Sequence, residues 1–74
     1  MNQAAVLYTR EGCGLCEQAQ ALAQSINLTL TPVNIAGNLD LLERYGNHIP
    51  VVKYGDSELF WPFSGDDLVA LIAS

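Results

Sequence analysis

The sequence predicts an α/β domain in the order β-α-β-α-β-β-α, a mixed four-stranded sheet with helices on both faces. Three observations lead there. An apolar run at residues 5–9 is followed, after a glycine turn, by a long stretch of helical periodicity and then by a second β-type run. That is a βαβ unit, whose two strands lie parallel and whose crossover is right-handed. Two short runs, residues 50–54 and 58–61, flank Gly55-Asp56-Ser57 and read as an antiparallel hairpin. Helix-start signals at Asn38 and Ser64 supply the two remaining helices. The 74 residues hold one domain, 1–74, and contain no repeat, linker or low-complexity segment.

Taken in order, residues 1–3 form a loose lead-in. Residues 5–9 are apolar with little alternation, as a strand covered on both faces should be. Arg10-Glu11-Gly12 turns the chain. Leu15, Ala19, Leu22, Ala23 and Ile26 then recur at i, i+4, i+7, i+8 and i+11, one face of a helix, with Gln18, Gln20 and Gln24 on the wet side and Asn27 at its end. Residues 28–35 form the second strand, in which Leu28 and Leu30 alternate with Thr29 and Thr31. Pro32 interrupts it and therefore marks a sheet edge. Asn38 caps a shorter helix with Leu39, Leu42 and Tyr45 facing inward, closed by Gly46-Asn47. Ser64 and Asp67 form a capping box at the start of the last helix, Asp66 suits its positive end, and Leu68, Leu71 and Ile72 form its inner stripe.

Composition excludes several classes. Half of the residues are hydrophobic, enough for a core, though a domain of this size has modest stability. No apolar run is long enough to span a membrane. Eight acidic residues against Arg10, Arg44 and Lys53 give a net charge of −5, which offers no electrostatic footprint for nucleic acid or an anionic membrane. Two cysteines are too few for a disulfide scaffold, no targeting segment is visible, and the cytoplasm is the expected compartment.

Both cysteines fall in Gly12-Cys13-Gly14-Leu15-Cys16, between the first strand and the helix that begins near Leu15. Backbone N–H groups at a helix N-terminus are unpaired, and the helix dipole adds positive charge there. Both favour a thiolate, so a cysteine at that position attacks disulfides. The two-residue spacing brings the second sulfur within reach. Cys13 is expected to be the exposed nucleophile and Cys16 the resolving thiol. Three plainer readings stand beside this one. As a structural disulfide, so short a loop would remove little chain entropy. As half of a zinc site, the pair has only His48 as another soft ligand. As inert core residues, the pair would sit poorly among glycines that suggest an exposed turn.

The chain resembles the glutaredoxins within the thioredoxin fold, and is most similar to short glutaredoxin-like proteins of ill-defined substrate. Residues 8–16, His48-Ile49-Pro50-Val51-Val52 and Gly65-Asp66-Asp67-Leu68 carry the resemblance, which covers nearly the whole chain. It implies that Pro50 is cis and faces Cys13, and that the Ile49 backbone receives an extended thiol substrate. It implies that Arg10, three places before the nucleophile, meets a glutathione carboxylate, and that Asp66 and Asp67 open the helix whose N–H groups hold the other. Three departures stand out: Gly14-Leu15 replaces the family's usual Pro-Tyr, Phe63-Ser64 replaces two glycines, and His48 replaces a threonine, offering an imidazole that modulates the Cys13 thiolate.

The implied function is a thiol–disulfide oxidoreductase that reduces protein or glutathione mixed disulfides and carries a Cys13–Cys16 disulfide when oxidised. The implied partners are a disulfide-containing protein or glutathionylated substrate, and glutathione or a reductase. No cofactor is bound permanently, glutathione serves as co-substrate, and a monomer is expected. The alternatives are a glutathione-dependent iron–sulfur cluster binding module and a non-catalytic interaction domain.

Overall fold

The structure, a computed structural model, describes residues 5–73; the expected lead-in lies outside them. The elements follow the predicted order: β1 (Ala5–Thr9), α1 (Gly14–Ser25), β2 (Leu30–Asn34), α2 (Leu39–Tyr45), β3 (Val51–Tyr54), β4 (Ser57–Phe60) and α3 (Gly65–Ala73). The sheet order is β2-β1-β3-β4. β1 pairs in parallel with β2, from Ala5 opposite Leu30 to Thr9 opposite Asn34. It pairs antiparallel with β3, Leu7 opposite Val52, and β3 pairs antiparallel with β4. Pro32 does lie on an edge strand, where its missing N–H disrupts no central ladder.

The alternation of β1 sorts two cores. Ala5 and Leu7 face α1 and α3, packing with Ala19, Ala23, Leu68 and Leu71. On the opposite face Tyr8 packs against Ile35, Tyr45 and Val51. Ala19, Ala23 and Leu68 are wholly buried, so the two alanines let α1 lie close on the sheet.

Local chemistry fixes the boundaries. Asn27 adopts φ 60° after α1. Its N–H donates to the Gln24 carbonyl at 3.1 Å, and the Leu28 N–H donates to the Ala23 carbonyl at 2.9 Å, a Schellman closure. The closure consumes Leu28, so β2 starts at Leu30 rather than at 28. Asn38 Oδ1 accepts from the Leu41 N–H at 3.1 Å and caps α2 as expected. Ser64 and Asp67 form the reciprocal capping box: Ser64 N–H donates to Asp67 Oδ2 at 2.9 Å, and Asp67 N–H to Ser64 Oγ at 3.1 Å. Gly55 supplies the positive φ, 62°, of a two-residue hairpin turn, and Ser57 joins β4.

Two expected inner faces are corrected. Leu15 is 44% exposed, because the buried stripe of α1 runs through Cys16, Ala19 and Ala23, about 100° round the helix. Leu39 is 76% exposed, because α2 meets the sheet with Leu41, Leu42 and Tyr45 rather than with its first residue.

Tyr45 anchors the second core. Its ring stacks on Tyr8 at a centroid distance of 4.5 Å, and its hydroxyl donates to Glu58 Oε2 on β4. Burial, then the hydrogen bond to Glu58, push the Tyr45 hydroxyl above its ordinary value near 10, partly offset by Arg44. A raised folded pKa gives stability that is complete below the unfolded value and is lost as pH climbs through the folded one. Urea unfolding should therefore show wild type losing stability above about pH 10, more steeply than Tyr45→Phe. At neutral pH that variant should be weaker by about 1 kcal/mol, one hydrogen bond. Parallel alkaline profiles for the two proteins would contradict the assignment.

Candidate active site

The central strand β1 delivers the chain to the site. After Thr9 the turn closes with the Cys13 N–H donating to the Arg10 carbonyl at 3.3 Å, and Gly12 takes φ 77°, the left-handed region that glycine enters without a Cβ penalty. Cys13 is then the N-cap of α1 in extended conformation. Its Sγ accepts a hydrogen bond from the Cys16 N–H at 3.1 Å. The two cysteines form a disulfide, with Cα atoms 5.2 Å apart. Cys16 is 4% exposed and belongs to the buried stripe of α1, whereas Cys13 is half-buried at the surface. A donor is thus already aimed at Cys13 Sγ, which sits at the positive end of α1. Glu11 and Glu17 line the same side of the site.

The other expected residues are distributed around this point. Tyr8 lies opposite Val51 in the β1–β3 register, so Ile49 and Pro50 arrive at the same end of the sheet as the cysteine loop. The Ile49–Pro50 bond is cis, as is Trp61–Pro62, which the sequence reading did not anticipate. Pro50 is fully buried, and its carbonyl accepts from the Trp61 N–H at 3.3 Å. Ile49 packs into the second core, and among the described residues its N–H and C=O have no hydrogen-bond partner. His48 is exposed; its N–H donates to the Tyr45 carbonyl at 2.8 Å, and its ring meets Phe60 edge-on at 5.6 Å.

The last helix is placed differently. A Cβ on Gly65 would lie 3.4 Å from Ile26 Cγ2 and 3.9 Å from Leu22 Cδ1. Leu22 is nine residues beyond Cys13, roughly 13 Å along α1. Asp66 and Asp67 thus start a helix that meets α1 more than two turns from Cys13, and the Asp67 carboxylate accepts from the Ser64 N–H. Phe63 is a core residue, in edge-on contact with Trp61 at 5.0 Å.

One feature escaped the sequence reading. A cavity of about 480 Å3 opens against the disulfide on the side of the edge strand β2. Leu7, Cys16, Ala21 and Pro32 line it with apolar or sulfur surface, and Arg10, Glu11, Glu17, Gln20 and Gln24 add polar groups. Ile49, Pro50, His48, Asp66 and Asp67 are outside its lining. Gln20 and Gln24, expected on the wet side of the helix, line this cavity instead, together with the edge-strand Pro32.

Known proteins share this architecture. The chain is similar to target protein XcR50 from X. campestris: the X-ray structure is 39% identical over 90% of this chain and 92% of that chain, with a TM-score of 0.78. The solution structure of the same protein gives a TM-score of 0.77. It is also similar to protein Ne2328 from Nitrosomonas europaea, whose solution structure is 30% identical over 97% of this chain and 93% of that chain, with a TM-score of 0.83. No curated protein matches the chain. The family model described as Glutaredoxin-like domain (DUF836) matches residues 5–73, and with the cysteine pair at the head of α1 and a thioredoxin-like sheet beneath it, the chain belongs to that glutaredoxin-like family.

Proposed function

We propose that this protein is a dithiol thiol–disulfide oxidoreductase. The observation that carries the reading is the N-cap position of Cys13, with its sulfur both bridged to Cys16 and hydrogen-bonded by the Cys16 N–H. In the reduced protein the Cys13 thiolate attacks one sulfur of a client disulfide. A Cys13–S bond forms, the client S–S bond breaks, and the leaving sulfur departs as a thiolate. The Cys16 thiolate then attacks Cys13 Sγ, which closes the internal disulfide and releases the second client sulfur. Two electrons pass from the dithiol to the client. A thiol reductant or a reductase, in a reducing compartment such as the cytoplasm, returns the dithiol.

The free Ile49 N–H and C=O, beside Pro50, suit an extended client chain laid against the loop. Arg10 remains available to a carboxylate. The start of α3 is a poor second anchor for glutathione, since Asp67 is engaged in its own cap and Phe63 fills the adjacent space. Polypeptide disulfides, including glutathionylated proteins attacked at their sulfur, are therefore the favoured clients over free glutathione disulfide.

Brief iodoacetamide treatment of the reduced protein, followed by mass spectrometry, should label Cys13 well before Cys16, which is 4% exposed. Labelling of Cys16 first would reverse the two roles. Cys16→Ser should still attack a client and accumulate a mixed disulfide through Cys13, detectable as an adduct mass. Cys13→Ser should give no adduct and no turnover. Adduct formation in Cys13→Ser at the rate seen in Cys16→Ser would remove the proposed mechanism.

A further inference from the structure

The cavity beside the disulfide has a chemical character of its own. Its floor is apolar, from Leu7, Ala21 and Pro32. Near the cysteines Glu11 and Glu17 face one cation, Arg10, which leaves one net negative charge in the lining, in a chain of net charge −5. Among the described residues none of these three side chains has an ion-pair partner. Farther along α1, Gln20 Nε2 donates to the Leu30 carbonyl at 3.4 Å, tying the helix to β2 and leaving its Oε1 able to accept, and Gln24 continues the row.

Resting on the dithiol reading above, we propose that this cavity is a client-specificity site that takes an extended polypeptide segment carrying a lysine or arginine close to the target cysteine. Residues 17 to 24 advance about 10 Å along α1 at 1.5 Å per residue. That is the length of about three extended residues, and the segment begins at the sulfur to which the client becomes attached. A long basic side chain matches both parts of the lining. Its methylene stem lies on the apolar floor while its charged head reaches the carboxylates. The glutamine amides suit a peptide backbone, which donates and accepts along its length. Small polyanionic thiols meet the wrong net charge here.

The test has two arms. The first is independent of catalysis: the disulfide form is titrated with cysteine-free hexapeptides bearing either Lys or Glu, followed by backbone amide NMR. The Lys peptide should shift Gly12, Glu17 and Gln24, and the Glu peptide should not. The second arm measures thionitrobenzoate release from mixed disulfides of cysteine peptides with Lys, Gln or Glu two residues from the cysteine. Wild type should attack the Lys peptide about fivefold faster than the Glu peptide at low salt, the upper end of what exposed ion pairs give, and the ratio should shrink as salt rises. Because the ratio is taken on one protein, the intrinsic reactivity of Cys13 cancels. Glu11→Gln with Glu17→Gln should bring it to within about twofold. Ala21→Trp, at an exposed position that lines the cavity, should slow attack on the Lys peptide and narrow its lead over the Glu peptide. Equal rates for the Lys and Glu peptides, or a ratio that survives the double substitution, would overturn the inference. So would amide shifts confined to the Ile49–Pro50 side. If the Lys peptide occupies the cavity but no disulfide is attacked, the site stands and the oxidoreductase reading falls.

Discussion

The close seat of α1 on β1 is the constraint on which the rest depends. Ala19 and Ala23, both wholly buried, have no side chain beyond Cβ to hold the helix off the sheet. Their approach fixes the helix axis, and the axis fixes what happens one turn before Ala19. Cys16 is forced onto the buried stripe, while Cys13, at the cap, emerges at the end of the central strand. The unequal exposure of the two sulfurs thus follows from packing deeper in the domain. A larger residue at either alanine would lift the whole N-terminal end and disturb the Cys13 Sγ contact with the Cys16 N–H.

The site has two unlike sides. On the β3 side, Pro50 is buried and Ile49 presents unengaged backbone groups, so in the proposed role recognition there depends on main-chain geometry and carries little information about client sequence. On the β2 side, the cavity presents side chains of both charge signs over an apolar floor, so sequence discrimination belongs there. The last helix, which the family resemblance enlisted for glutathione, is tied by Gly65 to the far half of α1 and contributes chiefly to the core through Leu68 and Leu71.

The legible features of the sequence were those encoded locally. The element order, the cap at Asn38, the Ser64–Asp67 box, the edge character of Pro32 and the cysteine pair all rest on residues within a few positions of one another. The failures came where a period does not specify a phase. Leu15 and Leu39 fit the helical repeat, yet each stands in the first turn of its helix, beside or before the stripe that meets the sheet. The cavity was illegible for a related reason. It joins Glu17, Gln20 and Gln24 to Pro32 and Leu7, residues brought together only when the crossover sets β2 beside β1. A row of glutamines on a helix looks like a solvated face until an edge strand is found alongside it.

The Cys13–Cys16 bridge has little part in holding the domain together, which suits the proposed role of a bond that opens and closes. A loop closed over a separation of three residues restricts the unfolded chain far less than a long one. The weight falls on the two cores either side of the sheet, one built by α1 and α3 over Leu7 and Val52, the other by α2 through Tyr45. Neither core contains Cys13, and Cys16 keeps its place through the neighbouring alanines of its own helix. Packing away from the bridge, rather than the bridge, therefore aims Cys13, Ile49 and the cavity at the head of α1. A site whose geometry is set by helix-to-sheet packing suits the proposed dithiol chemistry, because its surfaces do not depend on the bridge for their register.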